Sequence, residues 1–273
     1  MAVSRGGFYA FCKRPIRATE QANQELTIEI RKVFMESKET YGSPRIYEEL
    51  NELGIAGSEK RIARLMRLAI LKAVLPKRFV VTTDSDHALP IAENLLEREF
   101  TSDTPDRRWT ADITYVWTSE GWLSLGVVLD LFSRRIVGWS MGTTLERSLV
   151  LSALSMAIQN RHPEAGLLCH SDRGSQYASG DYQKALQEAG IVCSMSRKGN
   201  CWDNAPTESF FASLKKERVY RTHFASRAEA KAAIFEWIEV WYNRKRRHSS
   251  LGYLSPEAFE KQYQSEPLQA IAA

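Results

Sequence analysis

The spacing of apolar residues changes from helical to alternating near Arg107, and that change confines the chain to a helical part followed by a part built on a sheet. Before the change, Leu26, Ile30, Val33 and Phe34, then Ile46, Leu50 and Leu53, then Ile62, Leu65, Met66 and Ala69 recur at helical intervals. This is the pattern of three helices that each bury one face. After it, Trp109, Ala111, Ile113, Tyr115 and Trp117 alternate, as do Leu123, Leu125, Val127, Leu129 and Leu131, so each set lies on one face of a strand. Ile136, Val137, Trp139 and Met141 predict a third strand. The short polar connections Glu120-Gly121 and Ser133-Arg134 predict an antiparallel meander. The period then turns helical again through Leu149, Val150, Ala153, Leu154, Ala157 and Ile158. A strand at Leu167 to His170, a helix over about Gly180 to Ala189 and a strand at Ile191 to Met195 follow. Three antiparallel strands and then alternating helices and strands predict an α/β core, one mixed sheet covered on both faces. The order is compatible with a ribonuclease H-like fold without singling it out.

The length, 273 residues, exceeds what one hydrophobic core usually serves, and two domains are expected. With 44% hydrophobic and 26% charged residues, a disordered main state is excluded. No apolar run approaches the ~18 residues of a membrane span. The opening MAVSRGGFYAFCKRP lacks the apolar region of a signal peptide, so a soluble, cytoplasmic chain is expected. Cys12, Cys169, Cys193 and Cys201 are dispersed, with no metal-type spacing, and predict reduced thiols rather than a disulfide frame or zinc site. Charge is distributed unevenly: +6 over residues 1 to 80, −5 over 81 to 105 and +3 over the rest. A polyanionic partner is one explanation and solvated helix surface the other.

The expected domains are a helical region at 1–75, an acidic, Pro-containing linker at 76–105 with a short helix near Ala92 to Arg98, an α/β core at 106–262, and a tail at 263–273. Within the first, Pro44 suits a helix first turn, Gly54 and Gly57 bracket a turn, and Ser58 can cap the next helix. The outline is a helix-turn-helix. Its second helix carries Lys60, Arg61, Arg64 and Arg67, which could meet a major groove or phosphates; a plain three-helix bundle with a basic face is the alternative.

Three carboxylates stand out. Asp112 interrupts an aromatic and β-branched strand, where a carboxylate is costly unless paired or bound to a cation. Asp172 follows the strand that ends at His170, and strand ends of α/β sheets tend to build sites. Glu208 lies in the first turn of a helix that Asp203 or Asn204 can cap and Pro206 can begin. Each has a plain alternative: a sheet-edge Asp, a turn Asp, a helix-dipole Glu. Together they could converge on Mg²⁺, which prefers oxygen ligands, and two ions about 4 Å apart serve phosphodiester chemistry. Lys215 follows Glu208 by seven residues, two turns along one helix face, where a cation could meet a DNA phosphate.

The blocks Trp109-Thr110-Ala111-Asp112-Ile113-Thr114-Tyr115, His170-Ser171-Asp172-Arg173-Gly174-Ser175-Gln176-Tyr177 and Asp203-Asn204-Ala205-Pro206-Thr207-Glu208-Ser209-Phe210-Phe211 resemble the signature blocks of DDE transposases of bacterial insertion sequences. The likeness is to the second-frame (OrfB-type) product of elements whose transposase spans two overlapping frames. Between Asp172 and Glu208 lie 35 residues, the spacing of that family, and Lys215 fits its downstream basic position. Residues 41–71 resemble its helix-turn-helix, and Trp241-Tyr242-Asn243 through Pro256 its ending.

The resemblance implies a ribonuclease H-like integrase core preceded by an all-α helix-turn-helix domain. It implies Asp112, Asp172 and Glu208 as catalytic metal ligands, with two Mg²⁺ ions or Mn²⁺ in their place. It also implies double-stranded DNA, at element ends and target, as substrate, a homo-oligomer on that DNA, and the first-frame (OrfA-type) protein as a partner. The expected setting is bacterial cytoplasm, on the nucleoid when DNA is bound, with no membrane. Further expected DNA contacts are Arg197 and Lys198, in a strand-positioning loop at 196–202, and Arg244, Lys245, Arg246 and Arg247 after the helix at 226–243. Ile234, Trp237, Ile238, Trp241 and Tyr242 of that helix read as core packing. Two rival functions are a nuclease that only hydrolyses, because the same metals could activate water, and a non-catalytic helix-turn-helix regulator, which would have no need of the triad.

Overall fold

The computed structural model describes residues 4–12, 17–73, 90–197 and 201–271. They fall into two compact units, Met1–Leu75 and Pro76–Ala273. The first holds α1 (Arg5–Cys12), α2 (Ala18–Glu36), α3 (Ser43–Glu52) and α4 (Glu59–Leu68), one helix more than the periodicity predicts. The core of α2–α4 is Leu26, Ile30, Val33 and Phe34 with Ile46, Leu50, Ile62, Leu65 and Met66, all buried. Leu53 is exposed instead, because it is the C-cap of α3. The turn closes through Gly54, whose φ of +73° suits glycine, and Ser58 caps α4 by accepting from the Arg61 N–H at 3.3 Å.

The second unit contains β1 (Arg108–Thr118), β2 (Gly121–Asp130), β3 (Ile136–Gly142), α5 (Arg147–Arg161), β4 (Leu168–Ser171), α6 (Gly180–Glu188), β5 (Val192–Met195), α7 (Ala205–Glu217), α8 (Arg227–Glu236) and α9 (Pro256–Ile271). The sheet order is β3-β2-β1-β4-β5. β1 pairs antiparallel with β2 and parallel with β4, while β2–β3 is antiparallel and β4–β5 parallel, the mixed sheet expected. One face packs Trp109, Ala111, Val128 and Cys169 against Val150, Ala153, Leu154 and Ala157 of α5 and Tyr182 and Leu186 of α6. Close approach of α5 explains Gly138, since a Cβ there would fall on the Ala153 carbonyl. The other face carries Thr110 and is covered by α7.

Three features depart from expectation. The short helix near Ala92 to Arg98 is absent. That segment runs irregularly to a turn at Glu97 and Arg98, because the Leu95 and Leu96 N–H groups donate to Ser194 Oγ at 2.9 and 3.2 Å, and Met195 N–H donates to the Glu93 carbonyl. Its backbone bonds run sideways to β5, with Leu96 buried, where a helix would bond along itself. Residues 76–89 of the expected linker lie outside the described residues. After α8 the chain continues as a π-helical turn, Trp237–Tyr242, whose Trp237, Ile238, Trp241 and Tyr242 are buried. Asn243 then holds β3 by accepting from the Ile136 N–H and donating to its carbonyl, both at 3.0 Å. Finally, α9 runs through the stretch read as a tail. It is tied down by Glu260, which binds Arg161, Arg135 and Ser133 at 2.7–3.0 Å. No helix among the described residues is long and apolar enough to cross a membrane.

Candidate active site

Asp112 lies on the central strand, one residue beyond Ala111, whose partner on β4 is Ser171; Asp172 is one residue beyond Ser171. The two aspartates therefore leave neighbouring parallel strands, about 4.8 Å apart, at the same level. Asp112 Oδ1 accepts from the Ile113 N–H at 2.7 Å. Asp172 Oδ1 accepts from the Gly174 N–H at 2.9 Å, an Asx turn that bends the chain off the strand. Burial, and then the charge of Asp172, push the Asp112 carboxyl well above the ordinary carboxylate range. Glu208 acts in the same direction, and the Ile113 N–H and Lys215 oppose.

Glu208 is brought to this face by the seating of α7 on β1. Thr207 Oγ1 and Thr110 Oγ1 share a buried hydrogen bond of 2.6 Å, and Asn204 Nδ2 donates to the Ala111 carbonyl at 3.2 Å. Phe210, Phe211 and Leu214 bury the helix's apolar side. Burial raises the Glu208 carboxyl. It lowers the Lys215 ammonium, which Asp112 pulls back up. The structure thus places Glu208 and Lys215 within electrostatic reach of Asp112.

The expected capping differs in detail. Asn204 occupies the N-cap of α7 without a capping bond, and Asp203 is fully buried in a clasp. Its oxygens accept from Asn94 Nδ2, Arg98 Nε, and the backbone N–H, Nε and Nη2 of Arg197, all at 2.8–3.1 Å. Mainly through Arg197, its carboxyl is held far below the usual range.

The Asp172 strand end has its own support. Ser194 Oγ accepts from Leu95 and Leu96 N–H, so its proton points to His170 Nδ1 at 2.8 Å. Nε2 then carries the ring proton toward Ser196 Oγ at 3.1 Å, and Ser196 Oγ donates to the Ser171 carbonyl at 3.3 Å. Burial lowers His170 to about 4, which agrees with the neutral tautomer this chain of bonds requires. Neither His170 nor the Asp203 clasp is marked by sequence pattern, because both depend on the segment at 93–98.

Among the described residues, no three His, Cys, Asp or Glu side chains already stand at metal-closing distances. The residues nonetheless fit a hard divalent cation. The donors are carboxylate oxygens, and Asp112 bears the repulsion of two further acids, which a cation would remove. The basic candidates divide. Arg197 is paired with Asp203 at 2.8 Å, and Arg244 with Glu257 at 3.6 Å. Arg246 is buried, bonded to Glu217 at 2.8 Å, an internal anchor rather than an exposed contact. Arg247 donates to the Tyr253 carbonyl at 3.1 Å, Lys245 is exposed, and Lys198 lies outside the described residues. In the first unit, Lys60, Arg64 and Arg67 are exposed, whereas Arg61 Nε donates to Asn23 Oδ1 at 2.9 Å. Tyr115 closes the first signature block, and burial, then the charges of Asp172 and Asp112, raise its phenol.

The chain has relatives among known proteins. Integrase core domain families match residues 102–201 and 189–256, and an HTH-like domain family matches residues 21–79. The chain is 44% identical over 261 residues to the insertion element IS600 uncharacterized 31 kDa protein of Shigella sonnei, covering 96% of each. It is 43% identical over 262 residues to the transposase InsF for insertion sequence IS3A of Escherichia coli K12, covering 95% of this chain and 91% of that one. A chain of the simian T-cell lymphotropic virus intasome, solved with the PP2A regulatory subunit B56 gamma, superimposes with a TM-score of 0.50 at 15% identity. That match covers 85% of this chain and 74% of the other, and shows the shared integrase fold.

Proposed function

The chain belongs to the integrase-core transposases of insertion sequences, and from that premise we propose that Asp112, Asp172 and Glu208 are its catalytic metal ligands. As a transposase it is a polynucleotidyl transferase, cleaving DNA and joining strands at the ends of its element. The observation that carries the residue assignment is electrostatic. Asp112, seated in a sheet with one backbone hydrogen bond, is opposed in its ionisation by burial, Asp172 and Glu208. A fold gains nothing from gathering like charges unless a cation joins them.

Mg²⁺, or Mn²⁺, bound as a pair would activate the attacking oxygen and stabilise the leaving one. Asp112 and Asp172 would hold it from two adjacent strands, and Glu208 from α7. Lys215, two turns along, attracts a strand phosphate toward the carboxylates. Lys60, Arg64 and Arg67 of α4 supply phosphate contacts in the helix-turn-helix domain, joined in the core by Arg197, Lys198, Arg244 and Arg247. The partners in this reading are double-stranded DNA at element ends and target, further copies of the chain, and the first-frame (OrfA-type) protein, in bacterial cytoplasm on the nucleoid.

The test supplies purified protein with a labelled element end carrying a free 3′-hydroxyl, target DNA and Mg²⁺. The expected product is a joined strand, made by the wild type and lost in Asp172→Asn. Joining by Asp172→Asn at the wild-type rate would overturn the residue assignment.

A further inference from the structure

Asn204 stands at the N-cap of α7, where a side-chain oxygen of asparagine, aspartate or serine ordinarily accepts from one of the helix's free N–H groups. It makes no such bond. Its backbone, at φ −124° and ψ 27°, lies outside the extended region a capping residue usually takes, and Asp203 beside it is fixed by the five hydrogen bonds of its clasp. The side chain goes to β1 instead, where Nδ2 donates to the Ala111 carbonyl at 3.2 Å. That carbonyl also decides which way the amide points, since only its NH₂ end can face an acceptor. The amide oxygen is left buried with no hydrogen-bond partner among the described residues, in a residue that is 4% exposed.

A buried acceptor without a donor is destabilising, and here the chain forgoes a helix cap as well. The place of the amide accounts for both. The Ala111 carbonyl is joined to the Asp112 nitrogen, and Ala111 and Ser171 are the last residues at which β1 and β4 pair. The amide therefore sits at the fork from which Asp112 and Asp172 leave, one strand step, about 3.3 Å, behind the carboxylates. Its enclosure admits nothing as large as a base or a sugar, so a donor that reaches the oxygen must be small. Mg²⁺ sheds its waters reluctantly and keeps several beside one or two carboxylates, and water on a cation turns its protons outward, as a donor.

We propose that Asn204 is a positioning residue of the cation site. Its amide oxygen accepts a hydrogen bond from water on the cation that Asp112 and Asp172 hold, while its NH₂ end keeps Ala111, and through it Asp112, in place. The proposal rests on the reading of those carboxylates as metal ligands. It adds to them a residue that is neither a ligand nor a DNA contact and that orients the cation's water.

The test titrates the full chain with Mn²⁺ in the absence of DNA and reads the free ion by electron paramagnetic resonance, so that affinity and not turnover is measured. Asn204→Ser supplies another good capping residue without the reach of the amide. It should melt in EDTA close to the wild type and bind Mn²⁺ about tenfold more weakly, the scale of losing a group that supports a metal site from outside its ligands. Asn204→Leu, of similar shape and without the oxygen, should weaken binding at least as much, and it decides by the same comparison if the serine variant does not fold. Thr207→Val is the control for the seating of α7. It removes the other bond to β1, the 2.6 Å contact with Thr110, and should lower the melting temperature with little change in Mn²⁺ affinity. An Asn204→Ser variant that binds Mn²⁺ as tightly as the wild type overturns the proposal. So does a Thr207→Val variant that weakens binding equally, because Asn204 would then only seat the helix. A wild type that binds Mn²⁺ no better than Asp172→Asn removes the carboxylate reading itself, an outcome distinct from the other two.

Discussion

Asp112 and Asp203 lie in the same unit on opposite sides of one question. Asp203 is fully buried and accepts five hydrogen bonds, three of them from Arg197. Its carboxyl is held far below the ordinary range. Asp112 accepts one backbone hydrogen bond among the described residues, faces two other acids, and is held well above that range. The first is a completed structural carboxylate, satisfied within the chain. The second is opposed in its ionisation by its surroundings. The contrast separates the two by their partners, where residue type and burial alone would not.

The largest effect expected from this contrast is in activity. Asp112→Asn keeps the shape and removes the charge, so cleavage and joining should fall by more than the 10–100-fold typical of losing a residue that merely supports a metal ligand. Its fold should persist, with a melting temperature in EDTA no lower than the wild type's. Added Mg²⁺ should raise the wild-type Tm, because a ligand bound only by the native state stabilises it, and should leave the variant unmoved. Equal Mg²⁺ shifts in both proteins would erase the distinction between the two aspartates.

Asp203→Asn should do the reverse, damaging stability first. Asp203 is buried but its arginine partners are exposed to solvent, which screens the pairs, so the expected loss is a fall of a few degrees in Tm. The sign of the pH dependence follows from the depressed native carboxyl. Its stabilisation is fully present above the unfolded value of about 4 and is lost as pH falls toward the native value. The Tm gap between wild type and variant should therefore be flat near neutrality and close below about pH 4. A gap that widens on acidification would show that Asp203 is not held as an ion.

This pair also shows what the sequence could reveal. Asp112 and Asp172 stand out in the sequence because each breaks a local pattern, a charge in an apolar strand or at a strand end, and Glu208 because its block resembles a family's; the structure brings both Asp172 and Glu208 within electrostatic reach of Asp112. Strands β1 to β3 were legible from a period of two, and β4 and β5 as short segments alternating with helices. Asp203 was read as a helix cap because it precedes α7, and only the course of residues 93–98, which no periodicity marks, brings Asn94 and Arg98 to it. His170 is similar, since its partners come from β5 and, through Ser194, from the same segment. Local spacing reports which face a residue occupies. It does not report which distant side chain arrives there.

The arginines after α8 repeat the comparison at smaller scale. Arg246 is buried, bonded to Glu217 and Ser213 and placed over the Tyr242 ring at 5.8 Å, while Arg244 is exposed and reaches Glu257 only at 3.6 Å. Glu217 ends α7, so this pair also anchors the helix that carries Glu208. Arg246→Ala should cost about 3 kcal/mol, and Arg244→Ala no more than about 0.5 kcal/mol. Chemical denaturation of both variants measures the difference, and equal costs would contradict the burial of the Arg246 pair.

The smallest expected effects are in the helix-turn-helix, where the same division runs along one helix. Arg61 is turned back to Asn23 of α2, while Lys60, Arg64 and Arg67 are exposed on α4. A side chain that contacts a phosphate displaces about one condensed counterion, so losing it should lower the slope of log affinity against log salt by about 0.9. Lys60→Ala, Arg64→Ala and Arg67→Ala should each reduce the slope by up to that amount. Arg61→Ala should leave the slope alone and cost about 1 kcal/mol of stability instead, the worth of one side-chain hydrogen bond. Salt titrations of DNA binding by the four variants, read beside their denaturation curves, check the assignment. If Arg61→Ala flattens the slope as much as the other three, its bond to Asn23 gives way on DNA and all four residues belong to the phosphate-contacting face.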